Sequence, residues 1–147
     1  MSLLTLFFTV FYAVVGKSPV TWTTSAQKIS DTEYNLIFTA TIADGWNIYS
    51  QHIKGDDGPL KTSFSYDHPH FQLVGKNEET GDIKKGMDEM FGMEVIKIKH
   101  KGVFTQRIKV ADADKPVTGS IEYMCCNEVQ CLPPKQVPFA IDLKTAQ

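Results

Sequence analysis

Three observations predict an all-β chain folded as an immunoglobulin-like antiparallel β-sandwich. Apolar residues recur at every second position, Gly, Asp and Pro punctuate those runs at short intervals, and no long stretch carries the apolar period of an amphipathic helix. Roughly seven to nine short strands are expected from such a pattern.

The elements follow in order. Tyr34, Leu36, Phe38, Ala40 and Ile42 alternate with Asn35, Ile37, Thr39 and Thr41, which describes a strand with one strongly buried face. Asp44-Gly45 supplies a turn, and Trp46, Ile48 and Tyr49 form a second apolar set. Trp46 reads as a core residue, since large aromatics dominate sandwich packing. Shorter strands are predicted at Thr62–Tyr66 and Phe71–Val74. Met93–His100 and Val103–Val110 flank Lys101-Gly102, whose glycine permits a hairpin. Val117, Gly119, Ile121 and Tyr123 form another alternating face that runs directly into the cysteines. Val137 to Leu143 closes the chain as a last strand.

Residues 1–16 carry no charged side chain and hold an apolar run from Leu3 to Val15, broken only by Thr5 and Thr9. The run is shorter than the ~20 residues a membrane-spanning helix needs. It matches the apolar region of a secretory signal, with Val14 and Gly16 at the small positions before a cut ahead of Lys17. The charged start typical of such signals is missing, so an uncleaved anchor is the alternative. Export to the periplasm is expected, with residues 17–147 as a single domain. No cysteine lies near the cut to take a lipid. The formal charge of −2 gives no electrostatic footprint for nucleic acid, and none is expected as a partner.

All three cysteines fall within Cys125-Cys126-Asn127-Glu128-Val129-Gln130-Cys131, which Leu132-Pro133-Pro134 follows. Three thiols cannot all pair within one chain, so one is left over. In the chain-entropy model a bond from Cys126 to Cys131 restrains the unfolded chain by only about 2 kcal/mol, against ~4.7 for a hundred-residue loop. A domain seeking stability would join distant strands, so the crowding points to redox chemistry; the plainer reading is an inert bond that pins a strand end. Pro133 and Pro134 stiffen the exit and offer no backbone N–H. Alternation places Cys125 in line with Tyr123 and Ile121, where a buried thiol behaves as a small hydrophobe. A bond between Cys125 and its neighbour Cys126 would be strained.

Three segments carry a resemblance: Ile42-Ala43-Asp44-Gly45-Trp46-Asn47-Ile48-Tyr49, Asp88-Glu89-Met90-Phe91-Gly92, and Tyr123 through Pro134. In this order they resemble the amino-terminal periplasmic domain of the thiol:disulfide interchange protein DsbD, over essentially the whole mature chain. The resemblance implies an immunoglobulin-like domain that carries reducing equivalents by thiol–disulfide exchange, with no cofactor. Its implied partners are a membrane-embedded thiol reductant and periplasmic thioredoxin-fold proteins, including disulfide isomerases and cytochrome c maturation factors. By position, Cys131 matches the attacking cysteine and Cys126 the resolving one. Asp88, Glu89, Met90, Phe91 and Gly92 match a cap loop over the pair, with Tyr49 and Asn47 on the rim.

Some features depart from the family pattern. Its best-known members have five residues between the two cysteines, whereas Cys126 and Cys131 enclose four; Cys125 would restore five, but the spacing from Tyr123 favours Cys126. The aromatic tip of the cap appears as Met90 with Phe91 beside it. Asn47 stands where the family has a tyrosine, while Tyr49 keeps its place. The family's membrane-spanning region and thioredoxin-like domain are not in this sequence, so either a separate polypeptide is the expected electron source or the function has drifted. If Asp88 and Glu89 fold over the sulfurs, their charge would oppose thiolate formation.

A reading from another class treats the chain as an exported copper-binding sandwich. Met87, Met90 and Met93 recur every third residue, and thioether and thiolate ligands suit Cu(I). Cys125, Cys126 and Cys131 could join them, and His68 and His70 could add an imidazole pair. A purely adhesive domain with an incidental disulfide is the third reading. No phosphate-binding glycine loop, zinc-type Cys/His spacing or nucleophile-elbow serine is present, which argues against hydrolase and nucleotide chemistry.

Overall fold

The structure is a computed structural model, and it describes residues 16–67 and 70–147. The leader predicted over residues 1–16 therefore lies, apart from Gly16, outside the described residues. Among the described residues, eight strands form two antiparallel sheets. The first contains β1 (Val20–Lys28), β2 (Glu33–Ile42), β3 (Ile48–Tyr49), β5 (Phe71–Asp88) and β6 (Met93–Val110). The second contains β4 (Ser63–Tyr66), β7 (Val117–Tyr123) and β8 (Lys135–Ile141), with a 3₁₀ turn at Leu143–Thr145 after it. The sandwich predicted from the sequence is the fold observed.

The alternating side chains of β2 supply one inner face: Tyr34, Leu36, Phe38, Ala40 and Ile42 are all buried. From the facing sheet, Val117, Ile121 and Tyr123 of β7 and Phe139 of β8 meet them, with Phe38 and Phe139 rings 4.9 Å apart. Trp22, Phe64 and Phe104 complete an aromatic cluster between the sheets. Each fully buried side chain of this size contributes about 1.5–3 kcal/mol. Gly119 on β7 has no room for a side chain, because a Cβ there would sit 2.0 Å from the Ser65 carbonyl oxygen of β4.

One expectation is corrected. Lys101-Gly102 does not turn a hairpin: β6 continues through it as one strand of 18 residues, paired along its length with an equally long β5. Gly102 instead stands opposite Gly81 of β5. At the register shift between Gly81 and Asp82 the strands approach closely, and a Cβ on Gly81 would meet the Lys101 carbonyl oxygen at 2.1 Å. His100 adopts a φ of 60° there, as one strand carries two extra residues past the other. The hairpin lies instead at Glu89–Gly92, joining β5 to β6. The predicted strand at Phe71–Val74 is only the start of β5, and β1 had no counterpart in the sequence reading.

The opposite edge of β6 holds β2 along Lys101–Lys109 and then β3 at Lys97–Ile98. Asp44-Gly45 is thus a jog between two strands on one edge. It delivers Asn47 and Tyr49 to the end of the sandwich where β7 finishes and the β5–β6 hairpin turns.

Candidate functional site

Beyond β7 the chain keeps its strand-like alternation for three residues. Cys125 turns inward and is buried in the main core with Tyr123 and Ile121, while Cys126 turns the other way into a second, smaller cluster with Tyr49, Ile53 and Val95. Asn47 fixes Cys126 by two backbone hydrogen bonds: the Asn47 N–H donates to the Cys126 carbonyl at 2.9 Å, and the Cys126 N–H donates back at 3.0 Å. Asn127 then turns the chain. Its side-chain Oδ1 accepts from the Val129 N–H at 2.9 Å and the Gln130 N–H at 2.8 Å, and its own N–H donates to the Gln130 carbonyl. The turn returns Cys131 opposite Cys126, and the two form a disulfide with Cα atoms 4.0 Å apart.

The two sulfurs differ in access. Cys126 is 1% exposed, whereas Cys131 is only partly covered. Cys125 is the free thiol. Burial pushes its pKa up, against a smaller opposing pull from the Lys135 charge and a backbone hydrogen bond, so it is a poor nucleophile where it stands.

The β5–β6 turn covers the pair. The Met90 sulfur lies 3.6 Å from the Cys131 sulfur, and the Phe91 ring meets Tyr49 edge to face with centroids 5.9 Å apart. Asp88 builds the turn: its Oδ1 accepts from the Phe91 N–H at 3.1 Å, and its carbonyl accepts from the Gly92 N–H at 2.8 Å. Gly92, at a φ of 63°, closes the turn in a conformation that glycine adopts without steric cost. The Asp88 side chain is buried, and its Oδ2 pairs with the Lys97 ammonium at 2.7 Å. Burial alone would raise its pKa, but the Lys97 hydrogen bond, the Phe91 N–H, the Lys97 charge and the Met90 N–H together hold it below the ordinary carboxylate range.

This geometry changes the electrostatic expectation. Asp88 spends its charge on Lys97 and the turn backbone, and Glu89 is exposed. The shield over the sulfurs is therefore a thioether and an aromatic ring. Tyr49 forms the floor beneath Phe91; burial raises its hydroxyl pKa, opposed by a hydrogen bond from the Asn47 side chain.

All seven predicted cap and rim positions, from Asn47 and Tyr49 to Asp88–Gly92, thus gather at the end of the sandwich that holds the disulfide. Lys97 and Asn127 belong to the same arrangement, and the sequence reading assigned neither a role. The copper constellation comes together only in part: Met90 and Met93 lie beside the cysteine pair, and Met87 does not. Met87 pairs opposite Glu94 and Met93 opposite Asp88, so the two methionines project from opposite faces of the ribbon. His70 lies at the far end of β5, and His68 lies outside the described residues. Among the described residues no group of three or more His, Cys, Asp or Glu side chains is placed to hold a metal ion.

Chemically, the arrangement offers one partly covered sulfur, one sheltered partner sulfur and a hairpin turn packed against them. Comparison with known proteins gives the same direction. The family model for the N-terminal domain of the thiol:disulfide interchange protein DsbD matches residues 19–143. Among solved structures, the chain is similar to the reduced N-terminal domain of DsbD from Neisseria meningitidis, at 22% identity and a TM-score of 0.54, over 81% of this chain and 83% of that one. It is also similar to the N-terminal periplasmic domain of ScsB from Proteus mirabilis, at 18% identity and a TM-score of 0.60, over 86% of this chain but only 47% of that one. Comparison with curated protein sequences returns no match.

Proposed function

We propose, for a chain that belongs to the family of DsbD N-terminal domains, that it carries electrons in the periplasm and reduces disulfides of thioredoxin-fold proteins. Family membership and the Cys126–Cys131 disulfide support a role in thiol–disulfide interchange. The observation that carries the finer reading is the unequal exposure of the two sulfurs beneath a hairpin cover.

In the reduced chain the Cys131 thiolate attacks one sulfur of the partner's disulfide. A bond between Cys131 and the partner forms, and the partner's other sulfur leaves as a thiolate. Cys126, held by Asn47 opposite Cys131, then attacks the Cys131 sulfur. The intermolecular bond breaks, the second partner thiolate departs, and the Cys126–Cys131 bond remains. Two electrons pass to the partner. A membrane-embedded thiol reductant restores the dithiol by the same exchange in reverse. The cover holds Cys131 back until a partner displaces Met90 and Phe91, which matters in a compartment where stray oxidants abound.

The test is a trap. A Cys126→Ser chain, exported in cells, accumulates a covalent complex between Cys131 and a thioredoxin-fold protein that a reductant dissolves, and Cys131→Ser does not. Equal silence of both variants contradicts the proposal.

A further inference from the structure

Behind the cysteine hairpin lies a hollow of about 480 Å³, large enough to bury one or two side chains. Trp46, Leu132, Pro133 and Pro134 wall it, and the exposed Lys17 and Lys135 stand among its lining residues. Neither lysine makes an ion pair among the described residues. Glu128, the nearest acidic residue along the chain, is exposed on the turn and does not line the hollow. The prolines present apolar surface without an N–H, so side chains rather than backbone must do the recognising.

The position ties the hollow to the redox bond. Gln130 and Leu132, the two chain neighbours of Cys131, both line it. Leu132 packs against the main core and Cys131 against the second cluster, so the hollow and the sulfur lie on either side of this short edge of chain. A protein bonded to Cys131 lays the residues beside its own cysteine across that edge, each step along its backbone spanning about 3.8 Å.

We propose that this hollow receives the segment flanking the partner's reactive cysteine, and that it selects a segment carrying an apolar side chain beside a carboxylate. The inference rests on the exchange reaction proposed above. The apolar walls take the first group and the two free ammonium groups attract the second, a complementarity that acts mainly on the rate of encounter.

The test uses the reduced Cys126→Ser chain and short synthetic peptides, each with one cysteine held as a mixed disulfide with thionitrobenzoate. The Cys131 thiolate attacks the peptide sulfur and expels the thionitrobenzoate anion, whose colour gives the rate. Subtracting the rate of the Cys126→Ser, Cys131→Ser chain removes any reaction at Cys125. A peptide with Leu and Glu beside its cysteine reacts about threefold to tenfold faster at low salt than one with Leu and Lys. It also reacts roughly threefold faster than one with Ser and Glu. Combining Lys17→Glu with Lys135→Glu reverses the charge preference, and Lys115→Glu, away from the hollow, leaves it unchanged. Equal rates for the peptides, or a preference that survives the double reversal, overturn the docking role while leaving the exchange reaction standing. No release above background overturns both.

Discussion

Two residues that decide the site's geometry do so through single side chains. Asn127 satisfies two backbone N–H groups inside the loop that closes the disulfide. Asn127→Ala is expected to cost about 1 kcal/mol in the oxidised protein, seen as a lower urea midpoint, because both donors lose their acceptor. Asp88 ties the cover to β6 through Lys97. Its folded pKa lies below the unfolded one, so its stabilisation is complete above about pH 4 and is lost as pH falls through the lower folded value. Asp88→Asn should therefore lower stability by roughly 1–3 kcal/mol near neutrality, with the gap to the parent chain shrinking in acid; a gap independent of pH contradicts this role. The cysteines were legible because three of them stand within seven positions. Lys97 was not, since a lysine in an alternating strand reads as a solvated side chain until the hairpin that brings Asp88 beside it is known.

Strand periodicity made β2 and β7 legible, because each has one face against the core and the other outside it. β5 hid for the opposite reason. As an edge strand it is polar on both faces from Lys76 to Lys85 apart from Ile83, so its pattern carries little alternation. β1 hid because Thr, Ser and Ala fill positions that β2 gives to large apolar groups. The misplaced hairpin at Lys101-Gly102 has a physical cause too: glycine marks close backbone approach as well as turns. Gly81→Ala is thus expected to destabilise by roughly 2–4 kcal/mol, measured by chemical denaturation, since its Cβ would collide with the Lys101 carbonyl and its φ of 131° disfavours any side chain. The β5–β6 turn makes a separate prediction. Phe91→Ala removes the edge contact with Tyr49 and should speed reduction of the disulfide by dithiothreitol about threefold to tenfold. An unchanged rate means the turn does not guard the bond.

At the scale of the molecule, the sandwich holds the site at one end. Its two sheets fix Cys126 from below through Asn47, and its longest hairpin folds back over Cys131. Among the described residues no helix is long and apolar enough to cross a membrane. The central claim is a two-electron transfer from the Cys126–Cys131 pair, and thiol counting tests it most directly. The reduced chain is mixed with an excess of an oxidised thioredoxin-fold protein, quenched in acid, unfolded, and alkylated with a mass tag. The account predicts that the chain falls from three tagged thiols to one, Cys125, while an equal amount of partner gains two. A chain that keeps all three tags, or oxidises with no gain by the partner, contradicts it.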